Sequence, residues 1–241
     1  MYNLGQTRSS RKPDHLLQTP DTFVRIPLPG LERATAIVHA SPAIGAQFTQ
    51  YTVEMESHGS LGPAKTQRFI YVLEGEIEID GHSGLNAGAY AYIPEGHAVC
   101  IKANSPTRAA IIEKPYEEIG EAAQPRFFTA HEQDTPAQPL GGDPDLEVRM
   151  LMPDSIEYDF AVNTMTYQPG ASLNMVEIHV MEHGLLMLDG EGIYRLGDSW
   201  YPVAAGDFIW MAPYCPQWFG ALGKKPTRYL IYKDWNRHPL V

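Results

Sequence analysis

Cysteine, positive charge, long apolar runs and helix signals are all scarce in this 241-residue chain. Cys100 and Cys215 are its two cysteines, too few for a disulfide framework or a zinc site of four thiolates; both are expected to be buried, unpaired thiols. Lys and Arg total 18 against 29 Asp and Glu, a net charge of −11, which weighs against nucleic acid or an anionic membrane as partner. No stretch of 18 apolar residues is present, so no membrane span is expected. Met1 to His15 carries basic residues with no apolar core of a signal peptide behind them. A soluble, cytoplasmic protein is the resulting expectation. Helix signals are limited to one turn or two over Glu117 to Ala123.

Breakers are abundant instead. Twenty-one glycines and 20 prolines make about 17% of the chain against a typical ~12%. With 44% hydrophobic residues the chain is globular, and so many breakers point to short strands joined by turns.

The chain is written twice. Phe48-Thr-Gln-Tyr-Thr52 lines up with Phe160-Ala-Val-Asn-Thr164 at an offset of 112. Leu73-Glu-Gly-Glu-Ile77 lines up with Leu188-Asp-Gly-Glu-Gly-Ile193 from an offset of 115, and Asn86-Ala-Gly88 with Ala204-Ala-Gly206 at 118. A slowly growing offset is what small loop insertions between two copies of one unit produce. Within the copies, Arg68–Leu73, Glu76–Asp80, Gly184–Leu188, Gly192–Leu196, Trp200–Val203 and Gly206–Met211 read as strands, with hairpin turns at Glu74-Gly75 and Asp189-Gly190. Such spacing predicts an all-β chain of two antiparallel sandwiches or barrels. The expected divisions are an N-terminal arm (1–20), a first barrel (21–120), a linker (121–145) and a second barrel (146–241).

Among nine histidines, His15, His39, His58, His82, His131 and His238 lie in polar or turn-like contexts that call for surface or structural roles. Glu177-Ile-His179-Val-Met-Glu-His183 differs. On a strand, positions 177, 179 and 183 share one face, where a carboxylate and two imidazoles form a plausible metal set. The same residues also spell H-x-x-E-H, a zinc-peptidase motif that requires a helix. Pro169-Gly170 upstream, Gly184 and the Asp189-Gly190 turn downstream argue against that helix.

Gly170 and Gly190 flank this cluster as glycines flank the first cupin motif, and Gly206…Pro213…Gln217 resembles the second. The permuted ligand order and the tail Tyr229-Leu-Ile-Tyr-Lys233-Asp-Trp-Asn-Arg237 are similar to the (S)-ureidoglycine aminohydrolase family of bicupins. The resemblance implies two tandem cupin (double-stranded β-helix, jelly-roll) barrels, with metal ligands Glu177, His179, His183 and Gln217 in the second. It further implies Tyr194, Tyr229 and Lys233, alongside Glu177, as substrate-binding and catalytic residues. The implied reaction is hydrolytic deamination of (S)-ureidoglycine to (S)-ureidoglycolate and ammonia in purine (allantoin) breakdown. One carboxylate, two imidazoles and an amide oxygen suit Mn²⁺, with other divalent transition metals open. An iron-dependent dioxygenase and a non-enzymatic ligand-binding bicupin are the alternatives. The partner expected is a small ureide, and a homo-oligomer is expected. Opposite the ligands, the first copy has Gly62, Ala64 and Arg68, and only His97 stands opposite Gln217. That copy is expected to hold no metal and His97 to be structural.

Overall fold

The computed structural model describes residues 6–237, and among them every regular element except three short 3-10 turns is a β-strand. Those turns are Pro20–Thr22, Pro42–Ile44 and Glu132–Asp134; Glu117 to Ala123 forms no helix. No helix is long and apolar enough to cross a membrane. The strands read from sequence are present within a residue or two, for instance Gln67–Glu74, Glu76–Ile79, His183–Asp189 and Glu191–Leu196.

Two compact units divide the chain, one of Val24–Thr135 with Ser155–Asp159, the other of Met1–Phe23, Pro136–Asp154 and Phe160–Val241. In the first unit a single sheet winds around an interior of Tyr51, Val53, Met55, Ile70, Val72, Ile79, Ile101, Ala109 and Ile111. Its centre is Thr107–Lys114, paired with Gln67–Glu74 on one side and Thr49–Leu61 on the other. In the second unit Thr227–Asp234 holds the same central place between Phe160–Tyr167 and His183–Asp189. A three-stranded sheet of Ser199–Ala204, Glu191–Leu196 and Gln217–Leu222 shares its core, through Tyr194, Leu196, Val203 and Phe219.

One detail repeats in both units. Gly75 and Gly190 close their hairpins with φ of +84° and +77°, where a Cβ would strike Thr107 and Thr227 respectively. In each unit that threonine Oγ1 accepts the next residue's N–H, from Glu76 or Glu191, at 3.1 Å. The same hydroxyl donates to that residue's carbonyl, at 3.1 and 2.8 Å.

The unit boundaries differ from those expected in two places. The described part of the expected arm, residues 6–20, is not separate: His15–Gln18 pairs with Phe208–Met211, Leu17 enters the second unit's core, and the Arg8 guanidinium grips buried Asp207. Residues 121–145 are not a single linker either. Phe128–His131 pairs with Ala89–Ile93 in the first unit, whereas Ala137–Leu140 and Asp143–Met150 form a hairpin in the second. In both cases open sheet edges take up segments whose composition looked loop-like. The chain also dips back to the first unit at Asp159, whose buried carboxylate accepts from Gln67 Nε2 and Lys114 Nζ, each at 2.7 Å. Of the two thiols only Cys215 is buried; Cys100 is exposed, on the irregular segment just before Ile101–Ala103.

Candidate metal centre

Strand alternation along Thr227–Asp234 turns Tyr229, Ile231 and Lys233 to one face. Lys233 lies opposite His183 in the neighbouring strand, and Tyr229 opposite Met187. All three line a cavity of about 190 Å³ within the second unit, together with Glu177, His179, His183, Tyr194 and Gln217. The seven residues singled out from the sequence thus line one cavity. Leu173, Met165, Met181, Val148, Leu140 and Asn163 complete the lining. None of these six was expected: in the sequence they are ordinary strand and loop residues, with no motif to mark them.

Glu177, His179 and His183 reach the cavity by a different route from the one expected. They do not share a strand. The strand starts at His183, and Glu177 forms an isolated bridge in which it and Gln217 exchange backbone hydrogen bonds of 2.8 and 2.9 Å. Between them the backbone leaves the ladder because its polar groups are satisfied elsewhere. The Tyr214 N–H donates to the His179 carbonyl at 2.7 Å, and the Glu182 N–H donates to Asp234 Oδ1 at 2.5 Å. The segment is not helical, which removes the zinc-peptidase parse; Glu182 is buried and accepts from Trp210 Nε1 at 2.7 Å.

The side chains fit a cation. His183 Nδ1 lies 3.1 Å from the Tyr232 carbonyl, an arrangement in which its N–H donates and Nε2 keeps a lone pair facing His179. Burial, reinforced by His179, pushes its pKa down to about 3, so the ring is neutral at ordinary pH, as a metal ligand would need to be. The two Nε2 atoms stand 3.3 Å apart and Gln217 Nε2 is 2.7 Å from His179 Nε2. Two nitrogens each about 2.0–2.1 Å from one ion stand about 2.9–3.4 Å apart. Half a turn of the Gln217 amide brings its oxygen to the same point. His179 Nδ1, on the far side of the ring from that point, is buried without a partner. The Glu177 carboxylate lines the cavity but does not close within 4.8 Å of both rings.

Among the described residues the one tight trio of His, Cys and acidic groups is Asp14, His15 and Cys215. There His15 Nδ1 meets Asp14 and Nε2 meets the Tyr201 hydroxyl, both at 2.9 Å. Burial pushes the Cys215 thiol up to about 11. A protonated thiol and a ring with both nitrogens engaged are satisfied without an ion.

Around the cavity, burial raises the Tyr194 and Tyr229 pKa values well above the usual phenol range, with Tyr167 adding to both. They are hydrogen-bonding hydroxyls: Tyr229 meets Tyr167 at 2.7 Å and Tyr194 donates to Gln217 Oε1 at 3.4 Å. Burial lowers the Lys233 pKa, against the opposing pull of Asp154 and Glu177, and its Nζ lies 4.2 Å from the Trp235 ring centroid.

A family model described as a cupin domain matches residues 163–232, the stretch that holds His179, His183 and Gln217. A rice protein named a probable (S)-ureidoglycine aminohydrolase is 45% identical over 98% of this chain and 78% of its own length. The chain belongs to the (S)-ureidoglycine aminohydrolase family. Its Arabidopsis thaliana member is 42% identical over 98% of this chain and 80% of its own length. A Pseudomonas aeruginosa structure described as a putative glyoxylate-induced protein superposes with a TM-score of 0.89 at 30% identity, covering 99% of this chain and 94% of its own.

Proposed function

We propose that this chain is a metal-dependent hydrolase that converts (S)-ureidoglycine and water to (S)-ureidoglycolate and ammonia, as a step of purine breakdown. The observation that carries this reading is the single cavity lined by Glu177, His179, His183, Gln217, Tyr194, Tyr229 and Lys233, in a chain whose relatives bear that name. At about 190 Å³ the cavity is below the range of about 300–1,000 Å³ common for drug-sized ligands, which suits a small ureide.

Glu177, His179, His183 and Gln217 would hold the ion. The mixed carboxylate, imidazole and amide set suits Mn²⁺ among divalent transition metals. When bound, the ion supplies positive charge against which a carboxylate and an amine of the substrate can be fixed. The protein does the rest. The Lys233 ammonium holds the substrate carboxylate, and its lowered pKa makes its proton easier to hand to departing ammonia. Tyr194 and Tyr229, held protonated by burial, orient the ureido and amino groups. The Glu177 carboxylate, with one oxygen on the ion, would accept a proton from the attacking water at its other oxygen. Leu173, Met165, Met181 and Ile231 limit access of bulk water.

The two units are read as tandem cupin barrels, a bicupin with one metal site, assembling as a cytoplasmic homo-oligomer. The decisive experiment measures ammonia release from fresh (S)-ureidoglycine alongside metal content. Wild type is expected to be active and metal-loaded, and Glu177→Ala to lose both. Full activity without metal, or oxygen uptake in place of ammonia release, sinks the reading.

A further inference from the structure

One polar side chain on the cavity wall has no work within the protein. Asn163, in the middle of the strand Phe160–Tyr167, is 7% exposed and lines the cavity, and its amide makes no hydrogen bond to any described residue. Its surroundings do not require an amide: Met165 follows it on the same face, and Ile231 is its cross-strand partner. Asparagine is a poor strand former, and its amide is not sealed into the packed interior but opens onto the cavity. Such a group, more than nine-tenths buried and turned into a cavity, is placed for a ligand.

Its position says which end of the ligand. Ile231 is flanked on its own face by Tyr229 and Lys233, so both are diagonal neighbours of Asn163 across the strand pair. A molecule whose carboxylate is held at Lys233 therefore has its other end within reach of Asn163. A primary amide presents an N–H donor and a carbonyl acceptor in one plane. A carboxylate can use only its donor and an ammonium only its acceptor. A carbamoyl group uses both, through two antiparallel hydrogen bonds. We propose that Asn163 is a substrate-binding residue that recognises the ureido end, its N–H donating to the ureido oxygen and its Oδ1 accepting from a ureido N–H. This rests on the ureide reading above and names the residue that distinguishes a ureide from a plain 2-substituted acid.

The test compares two probes on the metal-loaded protein by calorimetry: (S)-ureidoglycolate, and glycolate, which keeps the 2-hydroxy acid and lacks the ureido group. Asn163→Leu is expected to weaken ureidoglycolate binding by about tenfold to a hundredfold while changing glycolate binding by less than about threefold. Asn163→Asp, which keeps the shape and acceptor but loses the donor, should also weaken the first probe selectively. Metal content and the unfolding midpoint, measured on the same samples, are expected to match wild type. Equal losses for both probes, or no loss for ureidoglycolate, overturn the role of Asn163 while wild-type ammonia release still stands. A wild-type protein that neither binds ureidoglycolate nor releases ammonia overturns the ureide reading and this one together.

Discussion

At equivalent points of the two units, the same pair of strands carries different chemistry. In the second unit His183 lies opposite Lys233, with Met211 on the other side. In the first, Arg68 lies opposite Glu113, with Ile93 on the other side. His183 and Lys233 line an open cavity. Arg68 instead donates from Nε to Glu113 Oε1 at 2.7 Å and from Nη1 to the Gly62 carbonyl at 2.8 Å, and the Tyr51 hydroxyl joins Glu113 at 2.9 Å. Further in, Ile79 and Ala109 take the places of Tyr194 and Tyr229. One unit has a cavity lined by polar side chains; the other pairs its charges internally and fills its interior largely with aliphatic side chains. On the reading proposed above, function falls to one copy of the scaffold and the other copy is left to packing.

The largest contrast comes from cutting the matched pair in each unit. His183→Ala is expected to lose bound metal and lower ammonia release on the order of a thousandfold. Arg68→Ala should keep metal and activity per folded molecule, but destabilise by about 2–4 kcal/mol in denaturant melts, since Glu113 is left without its partner. Metal loss from the Arg68 variant would break the division of labour. Next in size, Gly75→Ala and Gly190→Ala should each cost about 1–3 kcal/mol through strain at positive φ and collision with the paired threonine. Closely similar losses of stability, with activity retained in both, would sharpen the view that the hairpin is shared scaffold. The last effect is silent at neutral pH and appears only on acidification. Burial pushes His39, paired with Thr52, down to about 3 from an ordinary value near 6.5. Below about pH 6.5 the unfolded chain takes up a proton that the folded one refuses, so stability is full above that pH and falls towards pH 3. The slope is about 1.4 kcal/mol per pH unit for one such group. His39→Gln should reduce that slope in melts run from pH 7 to 4; an unchanged slope would show that another group governs it.

The comparison also corrects the alignment read from sequence. His97 was set opposite Gln217, yet Ile101 pairs with Ile79 as Phe219 pairs with Tyr194, and residues 97–100 lie outside the paired strand, so register sets no partner for Gln217 at His97. His97 stacks on Phe127 and meets Asp80 at 3.1 Å, a half-exposed surface contact. Fixed offsets drift across loops of unequal length; strand register does not.

The sequence by itself determined the strands, the duplication and the Glu177, His179 and His183 cluster, because periodicity, hairpin glycines and clustered ligand types are local properties. Gln217, Tyr194, Tyr229 and Lys233 were implied by the family resemblance, which brought the total to seven of the cavity's eight polar residues. The motif's residue types were legible even though its assumed strand was not. Only the tertiary structure decided that residues 178–182 are irregular, since their backbone partners, Tyr214 and Asp234, come from distant segments. Tertiary packing likewise made His15–Gln18 a sheet strand and turned Asn163 into the cavity. An asparagine among strand residues carries no signal until the face it shares with Tyr229 and Lys233 is known, and cross-strand pairing alone fixes that face.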